Sequence, residues 1–147
     1  ELGPISDEIV NIAQKGGFDE WLIMTGRVSH DKVENYYSLI DISAFPRKPW
    51  PVCEMVSPMK PLEALSMEKA VVVSSVKALS EIIKEGETGL IFEKDCTVSL
   101  GQTLKKLVES PELRIKLGKA GRNWVCKERT WHIIGEKAAS LISKRFH

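Results

Sequence analysis

Cysteine is scarce in this 147-residue chain: Cys53, Cys96 and Cys126 are odd in number, far apart and free of any C-x-x-C spacing. That arithmetic argues against a disulfide framework. It argues equally against a zinc site, because His30, His132 and His147 stand at no ligand spacing from the thiols. Thiols in a reducing cytoplasm are the expectation. Charge of one sign is also lacking, since 21 Lys plus Arg oppose 20 Asp plus Glu for a net +1. A balance so even supplies no basic face for a nucleic acid, and no such partner is expected. No apolar run approaches the ~20 residues that cross a bilayer, and the acidic start Glu1-Leu2-Gly3-Pro4 has no signal-peptide character. Peripheral contact with a membrane surface stays open. What is present is ordinary: 43% hydrophobic and 28% charged residues, enough for a real core. A soluble, cytoplasmic, single domain over residues 1–147 is expected.

Helical and extended patterns alternate along the chain, the signature of an α/β fold with a parallel sheet. Ser6 suits the cap of a helix with Ile9, Ile12 and Ala13 on one face, stopped by Gly16-Gly17. Trp21 to Thr25 is apolar and too short for a helix, so it predicts a strand ended by Gly26. Ser29 opens a second helix with Val33, Tyr36, Tyr37 and Ile40 as its inner stripe, and Ile42 to Phe45 predicts the next strand. Residues 47–60, rich in proline around Trp50, read as one long loop, and loops of that length are commonly functional. Pro61 fits the first turn of a helix through Met67. Val71-Val72-Val73 predicts a strand buried on both faces. A short helix over 78–84, a turn at Gly86 to Gly89 and a strand at Leu90 to Phe92 follow. Three helices complete the chain: Val98 to Glu109, one opening at Ser110-Pro111-Glu112, and one capped by Thr130. The last carries Trp131, Ile134, Ala138, Leu141 and Ile142 as its stripe, and Trp124 and Trp131 are expected in the core.

An opening strand with a Gly-rich turn does not precede the first helix, as a complete doubly wound domain would have it. The expected fold is therefore a doubly wound, mainly parallel α/β domain, incomplete at its N-terminus.

The residues best placed for chemistry are Ser57-Pro58-Met59-Lys60-Pro61-Leu62-Glu63, where a loop enters a helix. The first N–H groups of a helix favour an anion, Lys60 is a mobile charge suited to phosphate, and Glu63 can accept hydrogen bonds from a ribose diol. Spacing alone equally suits Glu63 as a first-turn acid and Lys60 as a solvated charge.

Four ordered blocks add to that. Residues 57–74, S-P-M-K-P-L-E-A-L-S-M-E-K-A-V-V-V-S, resemble the donor-site segment P-L-K-P-L-E-A-M-A-x-G-K-P-V-V-A-S of the GT-B glycosyltransferases of family 4, also called group 1. The segment F-D-E-W-L-I-M-T-G-R-V-S-H-D-K-V-E-N-Y-Y-S-L-I-D-I is similar to their "F-x-G-x-V, helix with Tyr, A-D" block. E-I-I-K-E-G-E-T-G-L-I-F is similar to "E-x-I-x-x-G-x-T-G-x-L-F", and R-N-W-V-C-K-E-R-T-W to "R-x-x-V-x-x-x-x-x-W". The resemblance implies the C-terminal, Rossmann-like half of a GT-B fold, binding a nucleotide-sugar donor and retaining anomeric configuration. It implies no metal and no cofactor, the nucleotide sugar being substrate. A sugar, lipid or protein acceptor would be met through an N-terminal domain absent from this sequence.

By position, Glu63 resembles the second glutamate of the family's E-x7-E motif, which holds the ribose hydroxyls. Ser57, Pro58 and Met59 fall where loop amides approach sugar or diphosphate, Leu62 lies between them and Glu63, and Lys60 falls near the phosphates. Gly26, Arg27 and Val28 correspond to the strand end where the base binds. The first glutamate of the motif would fall on Met55, with Glu54 one residue away and able to serve if the loop carries an insertion. Pro58 has no N–H where many relatives carry Gly. Alternatives remain for other residues. Gly86 to Gly89 suits a phosphate cradle or a tight turn, Glu81 a pocket residue or a helix surface, and His30-Asp31 an acid–base pair or a cap. Trp50 suits a loop anchor or a surface contact, and Asp41 a structural role. At the level of function, a non-catalytic nucleotide- or protein-binding module and an epimerase or glycogen-synthase-like relative stand as rivals.

Overall fold

The protein, seen here as a computed structural model that describes residues 4–146, forms two compact units, Glu1–Tyr36 and Tyr37–His147. Glu1, Leu2, Gly3 and His147, which entered the reading of the chain start and of metal spacing, lie outside the described residues.

In the first unit, helix α1 (Pro4–Gly16) ends on Gly17, whose φ of +68° is the left-handed conformation that closes a helix. Phe18 N–H then reaches back to the Ala13 carbonyl at 3.1 Å. Because α1 begins at Pro4, Ser6 falls in its first turn rather than at its cap. Of the expected inner face only Ala13 is buried, while Ile9 and Ile12 are exposed. The strand expected at Trp21 to Thr25 is not formed. Asp19–Trp21 is a 3-10 turn and the residues after it pair with no strand among the described residues. A strand exists through its ladder to a neighbour, and a five-residue apolar run does not encode its own partner. Trp21 and Ile23 are 84% and 85% exposed, so the run buries little. A second 3-10 turn, His30–Lys32, leads into α2 (Val33–Ser38).

The second unit is organised by β2 (Ala70–Ser74), in which all five residues are buried. It lies between β1 (Ile42–Phe45) and β3 (Leu90–Phe92), and both neighbours run parallel to it. Alternation along β2 sends its side chains to opposite faces. Val71 and Val73 join Ala64, Leu65, Val76 and Leu79 in one cluster, and Ala70 and Val72 join Leu90, Phe92, Leu107 and Leu117 in the other. Each fully buried valine contributes roughly 1.5–3 kcal/mol relative to exposure. Helices α4 (Lys60–Ser66) and α5 (Lys77–Ser80) serve the first cluster, and α6 (Thr97–Glu109) and α7 (Pro111–Glu128) bring Leu107 and Leu117 to the second. A sheet with helices on both faces is the expected doubly wound arrangement.

Three local expectations need correction. The long loop contains helix α3 (Pro51–Met55), nucleated by a proline at its first turn. The helix expected over 78–84 stops after Ser80, because Thr88 Oγ1 takes the Lys84 N–H at 2.9 Å and fixes the Gly86 turn. Helix α8 (Trp131–Phe146), with Thr130 Oγ1 accepting from Ile133 N–H as expected of a cap, leaves its apolar stripe bare. Trp131 is 78% exposed and Leu141 70%, whereas Trp124 packs half-buried on the first cluster with the Arg129 guanidinium 5.2 Å above its ring. Periodicity reports that a helix face is apolar, not that a surface covers it.

The end of α4 holds one unusual backbone. Glu68 has φ of +57°, with Glu68 N–H on the Leu65 carbonyl and Lys69 N–H on the Ala64 carbonyl, the paired bonds of a Schellman stop. In the pattern that residues 57–74 resemble, glycine stands at this position. Helix α7 crosses here at Gly118, where a Cβ would overlap the Glu68 carbonyl. Glu68→Gly should therefore raise stability by ~0.5–1 kcal/mol in chemical denaturation, relief of left-handed strain outweighing glycine's chain entropy and an exposed ion pair to Arg122. Gly118→Ala should lower it by about 1–3 kcal/mol through overpacking against backbone.

Candidate functional site

Two of the parallel strands deliver their carboxyl ends to one place, and in open α/β sheets ligands bind at that edge. The chain leaves β1 through Pro46 and is caught immediately. The Arg47 N–H donates to Ser74 Oγ at 3.1 Å, and the Ser74 hydroxyl donates back to the Arg47 carbonyl at 2.9 Å. Ser74 is fully buried at the end of β2, so this pair of bonds satisfies a hydroxyl that would otherwise be costly to bury. Arg47 Nη1 then donates to the Val56 carbonyl at 3.0 Å, drawing the far end of the loop over its start.

Between that loop and the entrance of α4 lies a cleft of about 590 Å³, lined by Phe45, Arg47, Pro58, Met59, Lys60 and Glu63 among others. Pro61 sits in the first turn of α4, and the first helical bond is from Glu63 N–H to the Met59 carbonyl at 3.1 Å. The amides of Lys60 and Leu62 thus have no partner within the helix. Since α4 has only seven residues, positive potential at the cleft comes chiefly from the Lys60 and Arg47 side chains. Pro61, Ala64 and Leu65 are buried, which fixes the face of α4 that turns outward with Glu63.

Tyr37 joins the same place. Its ring packs on the core while its hydroxyl lies 3.4 Å from the Lys60 carbonyl and 3.5 Å from Glu63 Oε2. Burial, and after it the Glu63 carboxylate, push the Tyr37 hydroxyl above its ordinary value, so it stays a donor to Glu63. Of the residues singled out from sequence, Pro58, Met59, Lys60 and Glu63 therefore meet in one cleft. Ser57 is exposed just before it, and Leu62 turns half-buried toward the first core cluster. Gly26, Arg27 and Val28 belong to the other unit, where no strand ends at them, and Gly26 has φ of +65°.

Glu54 is engaged elsewhere. Its Oε2 accepts the Lys77 N–H at 2.6 Å, at the start of α5, and its Oε1 pairs with Lys94 Nζ at 2.5 Å, just past β3. Lys94, then the Lys77 amide, hold this carboxyl below its ordinary value of 4.5. Arg47, Tyr37 and Ser74 went unread as site residues. The signal for Arg47 was available, since it is the first charged residue beyond a predicted strand end. Tyr37 looked like core because its ring is core. A larger hollow, about 640 Å³, lies among Lys84, Trp124, Glu128, Arg129 and α8, where Lys137 holds the Glu128 carboxylate at 2.8 Å.

A doubly wound α/β unit with a cation-lined cleft at the carboxyl edge of its sheet defines the class. The model of the family "Glycosyl transferases group 1" matches residues 2–124, and the chain belongs to that family. It is 22% identical over 142 residues to the GDP-mannose-dependent alpha-(1-6)-phosphatidylinositol monomannoside mannosyltransferase of Mycobacterium tuberculosis, covering 95% of this chain and 37% of that protein. Among solved structures, sucrose-phosphate synthase from Thermosynechococcus elongatus superposes with a TM-score of 0.81 at 22% identity, over 98% of this chain and 35% of that one. Anabaena Alr3699/HepE in complex with UDP and glucose gives 0.81 at 14% identity, over 95% and 36%. The fold is thus the Rossmann-like half of a GT-B protein, and the chain spans little more than a third of the length of these relatives.

Because the folded-state value of Glu54 is depressed, its tie to α5 is present above the ordinary carboxylate range and is lost as pH falls through the lowered value. The protection of the Lys77 amide, its exchange rate set against the intrinsic rate at each pH, should hold through pH 4.5 and fall only below it. In Glu54→Ala the same amide should be unprotected throughout. Equal protection in the variant would show that the tie does not hold α5.

Proposed function

We propose that this chain is the nucleotide-sugar-binding part of a retaining glycosyltransferase, which moves a sugar from a nucleoside-diphosphate donor to an acceptor. The observation that carries the reading is the meeting of Lys60 and Glu63 in one cleft beyond the end of β1. Lys60 supplies charge for the diphosphate, and Glu63, exposed and oriented through Tyr37, accepts hydrogen bonds from vicinal hydroxyls. As the sugar leaves, negative charge builds on the diphosphate, and fixed cations stabilise it most when it is fully developed. Pro58 and Met59 form the wall nearest Lys60. The donor is a substrate, and the chemistry proposed calls on no metal or cofactor.

The names of the relatives support a sugar donor carried on a nucleotide: one is GDP-mannose-dependent, another was solved with UDP and glucose. The acceptor, a sugar, lipid or protein, would be met by parts of the relatives that this chain does not span, so the chain alone is expected to turn over no donor. A cytoplasmic site of action, with the cleft open to soluble nucleotide sugars, fits this role. A second reading, a binding module without turnover, is favoured by one observation: Glu54 already holds two protein donors, and Met55 occupies the first-glutamate spacing. Transfer assays on the chain joined to its acceptor-binding part separate the two readings.

Nucleotide binding is the direct check. Calorimetric titration of the chain with UDP, GDP and ADP should reveal one preferred diphosphate. Glu63→Ala should weaken it by ~10-fold or more, about 1.4 kcal/mol. Unchanged affinity in that variant would remove Glu63 from the site.

A further inference from the structure

We infer that Arg47 is the positioned diphosphate-binding cation of the cleft, acting beside the mobile Lys60; the inference rests on the nucleotide reading above. Both residues line the same 590 Å³ cleft with Glu63. Among the described residues no carboxylate forms an ion pair with either cation. Two cations facing one space repel each other, and a bound dianion relieves that repulsion.

The two are held differently. Lys60 is an exposed, four-carbon stem at the first turn of α4. The Arg47 main chain is fixed at both its N–H and its carbonyl by the buried Ser74 hydroxyl. Its guanidinium is aimed by a bond from Nη1 to the Val56 carbonyl, which among the described residues leaves most of its five N–H donors for a ligand. A planar fork so placed matches two oxygens of a phosphate at once and loses little freedom on binding. The division of labour follows: Glu63 accepts from hydroxyls, Arg47 clamps phosphate in a fixed geometry, and Lys60 adapts.

The test separates the phosphate part of the ligand from the rest. Nucleoside, nucleoside monophosphate and nucleoside diphosphate of the preferred base are titrated into wild type, Arg47→Gln and Arg47→Lys. The gain in affinity from nucleoside to diphosphate should shrink ~10-fold or more in Arg47→Gln, with nucleoside affinity unchanged, and should return in part in Arg47→Lys. Ser74→Ala, which frees the Arg47 main chain, should reduce the same gain by a smaller factor. A wild type that binds no nucleotide overturns the nucleotide reading and this inference together. Wild-type binding that is weakened by Glu63→Ala, with an undiminished diphosphate gain in Arg47→Gln, overturns the role of Arg47 alone. If Arg47→Gln fails to fold by circular dichroism, Arg47→Lys and Ser74→Ala decide: a full diphosphate gain in both overturns the inference.

Discussion

Everything at the carboxyl edge depends on β2 being buried along its whole length. Its first four residues are apolar and divide between two clusters, which leaves the fifth, Ser74, buried with a hydroxyl to satisfy. Burial removes that hydroxyl from the surface, and it takes its partners from the passing loop, which is thereby fixed at Arg47. Core packing and site geometry are joined at one side chain. The strand brings the apolar driving force, and its last residue turns that force into a position for a charge.

The site reads as a division between rigid and adaptable groups. The floor is the end of β1 and the first turn of α4, both set by burial. The Tyr37 ring is held by the core and its hydroxyl reaches Glu63, so the Glu63 carboxylate is oriented from behind rather than from the cleft side. Lys60 alone is free to follow a ligand. On the proposed reading, such an arrangement would meet a phosphate and a diol with small reorganisation cost.

Sequence reasoning succeeded where burial itself writes the pattern. Ile42–Phe45 and Leu90–Phe92 were legible to the residue, and Val71 to Val73 showed a strand covered on both faces. The stop at Gly17 and the helix starts at Ser110 and Thr130 were legible because capping chemistry is local. Failure came where a second partner, distant in sequence, decides the outcome. Trp21 to Thr25 has strand composition without a ladder, and α8 has an apolar stripe without a cover. The cleft was half legible: Pro58 to Glu63 stood out as a loop entering a helix, whereas Arg47 and Tyr37 acquire their meaning from Ser74 and Glu63, 27 and 26 residues away. Glu54 shows the reverse, a carboxylate that spacing alone could not distinguish from a ligand-facing one.

The bridge made by Glu54 is not symmetric between its two partners. One oxygen caps an amide of the main chain, which no substitution at residue 77 other than proline removes, and the other meets a side chain that can vary. Losing Lys94 would leave the carboxylate still capping α5. Losing Glu54 would strand a main-chain donor and a lysine at once. Position 54 should therefore drift slowly and position 94 freely, a restraint on divergence set by the scaffold of the loop alone.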